Sequence, residues 1–360
     1  MCSAPENRTA GGSRPGRLNR FGWLPLLALL LAAATVIAAG LGYLAIAPVD
    51  VARIIAARLL GDPSLAVGLD EVAQVVVLDV RLPRILTALL VGGGLAVAGV
   101  IFQGILLNPL ADPYTLGVSS GAAFGATLAI LANLAGSALL GGLSVPLAAF
   151  IGAVLTLGVV LYLSSFDGQV APDTLILSGV IVGAILSAGI SFIKYLADEQ
   201  VAVIIFWLMG SFAARTWADV GLVAAAVGCG LLLAIYYARD LNILALGGRI
   251  ADSLGVESNR VRRILLINGS LLAAVCVSVA GIIGFVGLLV PHLMRFLVGP
   301  DNRILLPASL LAGALLLLGA DTLTRAMLPA EVPIGVLTAL LGGPFFCVIF
   351  RRRQRGLRHG

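Results

Sequence analysis

The residues of this chain that could do chemistry gather in one stretch. From Arg239 to Arg263 it reads RDLNILALGGRIADSLGVESNRVRR, with Arg239, Asp240, Arg249, Asp252, Glu257, Arg260, Arg262 and Arg263 lying between very long apolar runs. Such a density of opposite charges points to recognition of a partner, not to covalent catalysis. No Walker A sequence, HExxH, GxSxG or metal-ligand cluster occurs along the 360 residues. Cys229, Cys276 and Cys347 sit in apolar runs and Cys2 in the N-terminal tail, without CxxC spacing, so neither a disulfide nor a metal site is expected. Of the two histidines, His359 is in the C-terminal tail. His292, in VPHLMR, reads as a hydrogen-bonded structural residue of an apolar helix and is given no metal role. Catalytic residues and cofactors are expected to be none.

The setting of that stretch defines the class of protein. The chain is 60% hydrophobic and 11% charged, against roughly 25% charged for a soluble domain. Several runs exceed the ~20 apolar residues that span a bilayer. A soluble dehydrogenase, kinase or DNA binder is excluded. The central stretch cannot enter hydrocarbon, where each charge costs about 2.5–3.5 kcal/mol, and its basic loop character directs it to the cytoplasm. Ile250, Leu254 and Val261 recur at roughly helical spacing, and Gly247, Gly248 and Gly255 punctuate the segment. It is either a solvated loop or a short amphipathic knob that a cytoplasmic partner grips.

The rest of the chain must position it. The expected fold is all-α and polytopic, with about ten transmembrane helices, some short and broken. Arg8, Arg14, Arg17 and Arg20 precede the first apolar run, and Arg351, Arg352, Arg353, Arg355 and Arg358 follow the last. Both termini are therefore expected in the cytoplasm, and the net charge of +5 reports topology and anionic lipid, not nucleic acid. Residues 1–20 read as a disordered tail, 21–351 as the membrane domain and 352–360 as a basic tail. The first span is expected over Trp23 to Ala47, with a surface helix at Val51 to Leu60. The second opens at Arg81-Leu82-Pro83-Arg84, and its Gly92-Gly93-Gly94 and Gly99 permit close helix approach. The third runs from Tyr114 to Leu134, the seventh from Leu265 to Gly281, and Gly284 to Val298 is short for a span and contains Pro291. Such a broken helix is tolerated where protein or water surrounds the freed backbone groups.

Transport without an ATPase motif needs an engine elsewhere. The span middles are almost free of acids, which favours a separate ATPase over an ion gradient, with a gradient-driven carrier as the alternative. Taken together, RLPR (Arg81 to Arg84), NPLADPYTLGVSSGA (Asn108 to Ala122), NILALGGRIADSLGV (Asn242 to Val256), GFVGLLVPHLMR (Gly284 to Arg295) and EVPIGVLTALLGGPFF (Glu331 to Phe346) occur in one order. From about Trp23 onward the chain resembles the permease subunit of the type II ATP-binding-cassette importers for iron-siderophore, haem and vitamin B12.

That resemblance implies a homodimer of ten-span subunits in a bacterial inner membrane. It further implies two ABC ATPase subunits below and a periplasmic or lipid-anchored substrate-binding protein above. It assigns ATPase coupling to helices near 246–261, with Leu246, Gly247, Gly248, Arg249, Ile250, Ala251, Leu254, Gly255 and Val256. Docking of the binding protein falls to Arg81, Arg84 and Arg325, because the planar guanidinium fork suits carboxylates; snorkelling at span ends is the alternative. Ala171, Pro172 and Asp173 match the cytoplasmic gate, or else form a helix-opening Pro-Asp turn.

Overall fold

The structure is a computed structural model, and it describes residues 22–42, 44–136, 144–166, 169–170, 172–326 and 332–358. Glu331 and Ala171 fall outside these, as does the N-terminal tail. The helices are α1 (Trp23–Gly40), α2 (Pro48–Leu60), α3 (Glu71–Val75), α4 (Leu82–Ile105), α5 (Val118–Leu134), α6 (Val145–Ser164), α7 (Pro172–Leu196) and α8 (Val201–Leu208). They continue as α9 (Trp217–Tyr236), α10 (Ala238–Leu244), α11 (Gly248–Ser253), α12 (Ser258–Ala280), α13 (Val286–Val298), α14 (Asn302–Ala326) and α15 (Ile334–Arg358). A π-helical segment, Val76–Arg81, joins α3 to α4. One two-residue antiparallel pair, Ser165–Phe166 with Gln169–Val170, closes the turn between α6 and α7.

Among the described residues, seven helices are long and apolar enough to cross a membrane, and three shorter apolar helices accompany them. These ten segments match the ten expected spans. Several boundaries differ. The first helix stops at Gly40 rather than Ala47, because Leu41 turns to an extended conformation. The third begins at Val118, after a left-handed Gly117. The seventh starts at Ser258, so Ser258 to Ile264 is helical and not loop. The last helix continues through the basic tail to Arg358.

The bundle is built around α4, which packs against α14, α12, α9 and α13 and is buried along most of its length. Lipid is as apolar as leucine, so helices in a membrane associate through close packing rather than a hydrophobic drive. Glycines supply the closeness. A Cβ on Gly92 would lie 2.2 Å from the Gly313 carbonyl oxygen of α14, and one on Gly99 would lie 2.0 Å from that of Gly287 in α13. The two backbones touch at both places. By contrast, α6, α7 and α9 present exposed Leu155, Ile185 and Leu232 and similar residues outward, as expected of helices that are apolar all round.

The break before α13 and the proline inside it both find partners within the protein. Pro291 has no N–H, so the Gly287 carbonyl one turn earlier loses its helical donor. The Gln103 amide of α4 donates to it at 3.2 Å and to the Leu288 carbonyl at 3.3 Å. Arg295 in turn donates to the Gln103 side-chain oxygen at 2.9 Å. Before the helix, the Tyr114 hydroxyl donates to the Ile283 carbonyl and accepts from its N–H.

Substituting Gly99→Ala should destabilise the fold by about 1–3 kcal/mol, because the new methyl meets backbone that cannot yield. Gly158→Ala, in the interior of α6 with nothing within 4 Å of its Cβ position, should be neutral or stabilising. Thermal unfolding in detergent measures both; equal shifts would refute the close α4–α13 contact.

Candidate functional site

The central charged stretch folds as two short helices, α10 and α11, between α9 and α12. Gly247 adopts φ 107° and Gly255 φ 85°, so each turn flanking α11 occupies a conformation that side chains disfavour. Ala251, Val256 and Val261 are buried beneath it. Leu246, Ile250 and Leu254 instead face outward, 59%, 51% and 59% exposed. Leu246, Ile250 and Leu254 follow one another at helical spacing, and an apolar knob so placed in a polar surrounding marks an interaction surface.

Three side-chain ties brace this knob. At one end Asn242 of α10 donates to Asp301 at 2.8 Å and accepts from the Asn302 backbone N–H at 2.9 Å, gripping the turn between α13 and α14. Arg303 and Asn242 hold the Asp301 carboxyl down to about 2. Further along, the Asp252 carboxylate accepts from the Ser258 N–H at 3.0 Å, capping α12; hydrogen bonds from Ser258 lower the pKa of this exposed group. Finally Arg262 donates to the Ile105 carbonyl at 3.2 Å, covering the C-terminal end of α4. The segment is thus tied to the turn before α14 by Asn242 and to the start of α12 by Asp252, and Arg262 ties α12 in turn to the central helix α4.

Gly248, Arg249 and Asp252 also line a cavity of about 1020 Å³ together with Pro172, Leu107 and the Arg262 side chain. The structure therefore brings part of the expected coupling set and part of the expected gate to one place. Pro172 and Asp173 form the first turn of α7, as a helix-opening Pro-Asp pair would; Ala171 lies outside the described residues.

Arg81, Arg84 and Arg325 meet at the opposite end, and they turn inward. The last carbonyls of α1 have no helical donor, and α1 carries no basic residue of its own in its last turn. Arg81 donates to Ala39 at 2.6 Å and to the Leu44 carbonyl, while Arg325 donates to Leu41 at 2.6 Å and Ala38 at 2.7 Å. Gly42, at φ 144°, leaves room for both guanidiniums. Arg84 pairs with Asp321 of α14, its Nη2 2.9 Å from Oδ1 and its Nε 3.0 Å from the same oxygen. Asp321 is 1% exposed. Sequence reasoning passed over it, although its place four residues before Arg325 in an apolar span was a readable signal. His292 stands edge-to-face against Phe296 at 5.0 Å, and no group of three metal-ligating side chains occurs among the described residues.

A bundle of apolar helices carries this exposed apolar knob at one end. Residues 27–352 match the FecCD transport family, and the chain belongs to it. It is 44% identical over 292 residues to the cobalamin import system permease protein BtuC of Halobacterium salinarum, covering 81% of this chain and 77% of the relative. It is 39% identical to the molybdate import system permease protein MolB of Haemophilus influenzae, covering 92% and 95%. A solved structure described as an inward-facing conformation of a metal-chelate type ABC transporter superposes with a TM-score of 0.78 at 36% identity, covering 91% of this chain and 98% of that one. The chain is a membrane-spanning permease subunit of an ABC importer, working with ATPase and substrate-binding partners; ATP hydrolysis belongs to the former.

Removing one partner of a buried ion pair strands the other. Asp321→Asn should therefore destabilise the bundle by about 3–5 kcal/mol, measured by thermal unfolding in detergent. Replacing both partners, Arg84→Met with Asp321→Leu, should cost much less. Equal losses from the single and double variants would show that the pair is not what the site depends on.

Proposed function

We propose that the chain forms half of a homodimeric conduit in a bacterial inner membrane, with both termini in the cytoplasm. Leu246, Ile250 and Leu254 are the surface that the ATPase grips. The observation that carries this reading is the exposed apolar trio on and beside α11, in a segment tied by Asn242 to the turn before α14 and by Asp252 to the start of α12, which Arg262 ties in turn to α4. Closure of the ATPase pair would pull on the knob, and the ties would pass the motion to α4 and α14 as rigid-body tilt. Pro172 and Asp173, with Ala171, would open or close the inner end of the path, since Pro172 shares a cavity wall with the coupling segment.

The three outer arginines take an indirect part in docking. Their guanidiniums hold α1, α4 and α14 together, so they shape the rim on which a binding protein would sit rather than reaching into it. The cargo is an iron-siderophore, haem or cobalamin. The likeness to a cobalamin import system permease and to a metal-chelate transporter supports this choice. Likeness to a molybdate import system permease supplies the competing cargo, and competition between a labelled chelate and molybdate in reconstituted uptake separates the two.

Leu254→Asp places a charge in the middle of the gripped surface. Co-purification of the ATPase subunit should fall at least about tenfold, the effect of losing a hot-spot residue, while thermal stability of the permease stays unchanged. Undiminished co-purification with unchanged uptake would remove the coupling role.

A further inference from the structure

A second cavity lies at the end away from the coupling segment, between α1, α2, the π segment and α9. Its volume is about 730 Å³, within the roughly 300–1,000 Å³ of small-molecule sites. Ile55, Leu59, Leu78, Leu82, Leu86 and Trp217 form apolar walls, and Arg58 and Asp79 stand at the polar positions. Thr35 and Leu86 lie about one turn along α1 and α4 from their outer ends, so the groove follows the helices into the bilayer.

The wall is built by specific sequence features. In the π segment the Leu82 N–H reaches back to the Val77 carbonyl. The next donor in that series would come from residue 83, which is proline and has none. The Leu78 carbonyl is left over, and the Trp217 indole N–H donates to it at 3.2 Å. Trp217 lies within the Thr216–Asp219 capping box that opens α9, so its ring is held at the groove edge. Tryptophan at a span end sits at headgroup level. On the opposite wall α2 buries Val51 and Ile54 and leaves Leu59 80% exposed, as a helix lying in the interface would.

Arg58 and Asp79 make no ion pair with each other or with any described residue. One cation and one anion above an apolar groove complement a headgroup that carries both signs with a hydrogen-bonding amine. We propose that this groove holds one phospholipid, phosphatidylethanolamine, from the leaflet opposite the coupling segment. Its phosphate meets Arg58, its ammonium meets Asp79, and an acyl chain runs between Leu82, Leu86 and Trp217. The inference rests on the topology proposed above.

Quenching of Trp217 by brominated lipid tests it on the full chain in detergent. The chain has three tryptophans, and Trp217→Phe subtracts the other two. Brominated phosphatidylethanolamine should quench at concentrations about fivefold lower than brominated phosphatidylcholine or phosphatidylglycerol, the weight of one charge contact at a lipid surface. Arg58→Ala and Asp79→Ala should each remove that preference, while Lys194→Ala, on α7, should keep it. The three-lipid comparison needs no variant of Arg58 or Asp79 to fold. Equal quenching by all three lipids, preference for phosphatidylglycerol, or no quenching because a second copy covers the groove would each overturn the proposal. Uptake by the native chain, reconstituted in proteoliposomes with its ATPase and binding protein, stays intact if the groove alone is wrong and fails if the transport reading is wrong.

Discussion

A backbone carbonyl that has lost its helical donor cannot stay bare inside a bilayer, where each unsatisfied group costs several kcal/mol. This constraint explains where several long polar side chains of the structure go. Arg81 and Arg325 cover the end of α1, Arg262 covers the end of α4, and Arg215 donates to the Val279 carbonyl at 2.6 Å near the end of α12. Gln103 and Trp217 serve the carbonyls freed by Pro291 and Pro83. A cation also complements the negative end of the helix dipole.

Those caps also tie the bundle together. Each one joins two elements distant in sequence: α1 to α4 and α14, α12 to α4, and α10 to the turn before α14. Glycine contacts between α4 and its neighbours α13 and α14 leave no soft layer between them. Tightly packed interfaces of this kind shift as rigid bodies rather than deform. A force applied at Leu254 therefore has a direct route to the centre of the bundle.

The charged segment from Arg239 to Arg263 was legible from sequence as a folded surface element because charge excludes it from hydrocarbon and glycine marks its turns. Which of its apolar residues face out was not: Val261 and Ile250 both fit a helical pattern, yet one is buried and the other exposed. For Arg81, Arg84 and Arg325 the reverse held. Their place at span ends is readable, but the direction of each guanidinium depends on where α1 stops, seven residues before the apolar run suggests, and on Asp321 arriving from a helix more than two hundred residues away. Short-range pattern locates charges; only tertiary packing says whether a charge looks outward or caps a neighbour.

The central claim is that the exposed knob moves the membrane helices because it is braced to them. The number of substrate molecules imported per ATP hydrolysed tests this most directly, measured in proteoliposomes holding the complete complex with either the native chain or Asn242→Ala combined with Asp252→Ala. Loosening the brace should leave ATPase binding and hydrolysis in place and lower the ratio severalfold. An unchanged ratio would contradict the account.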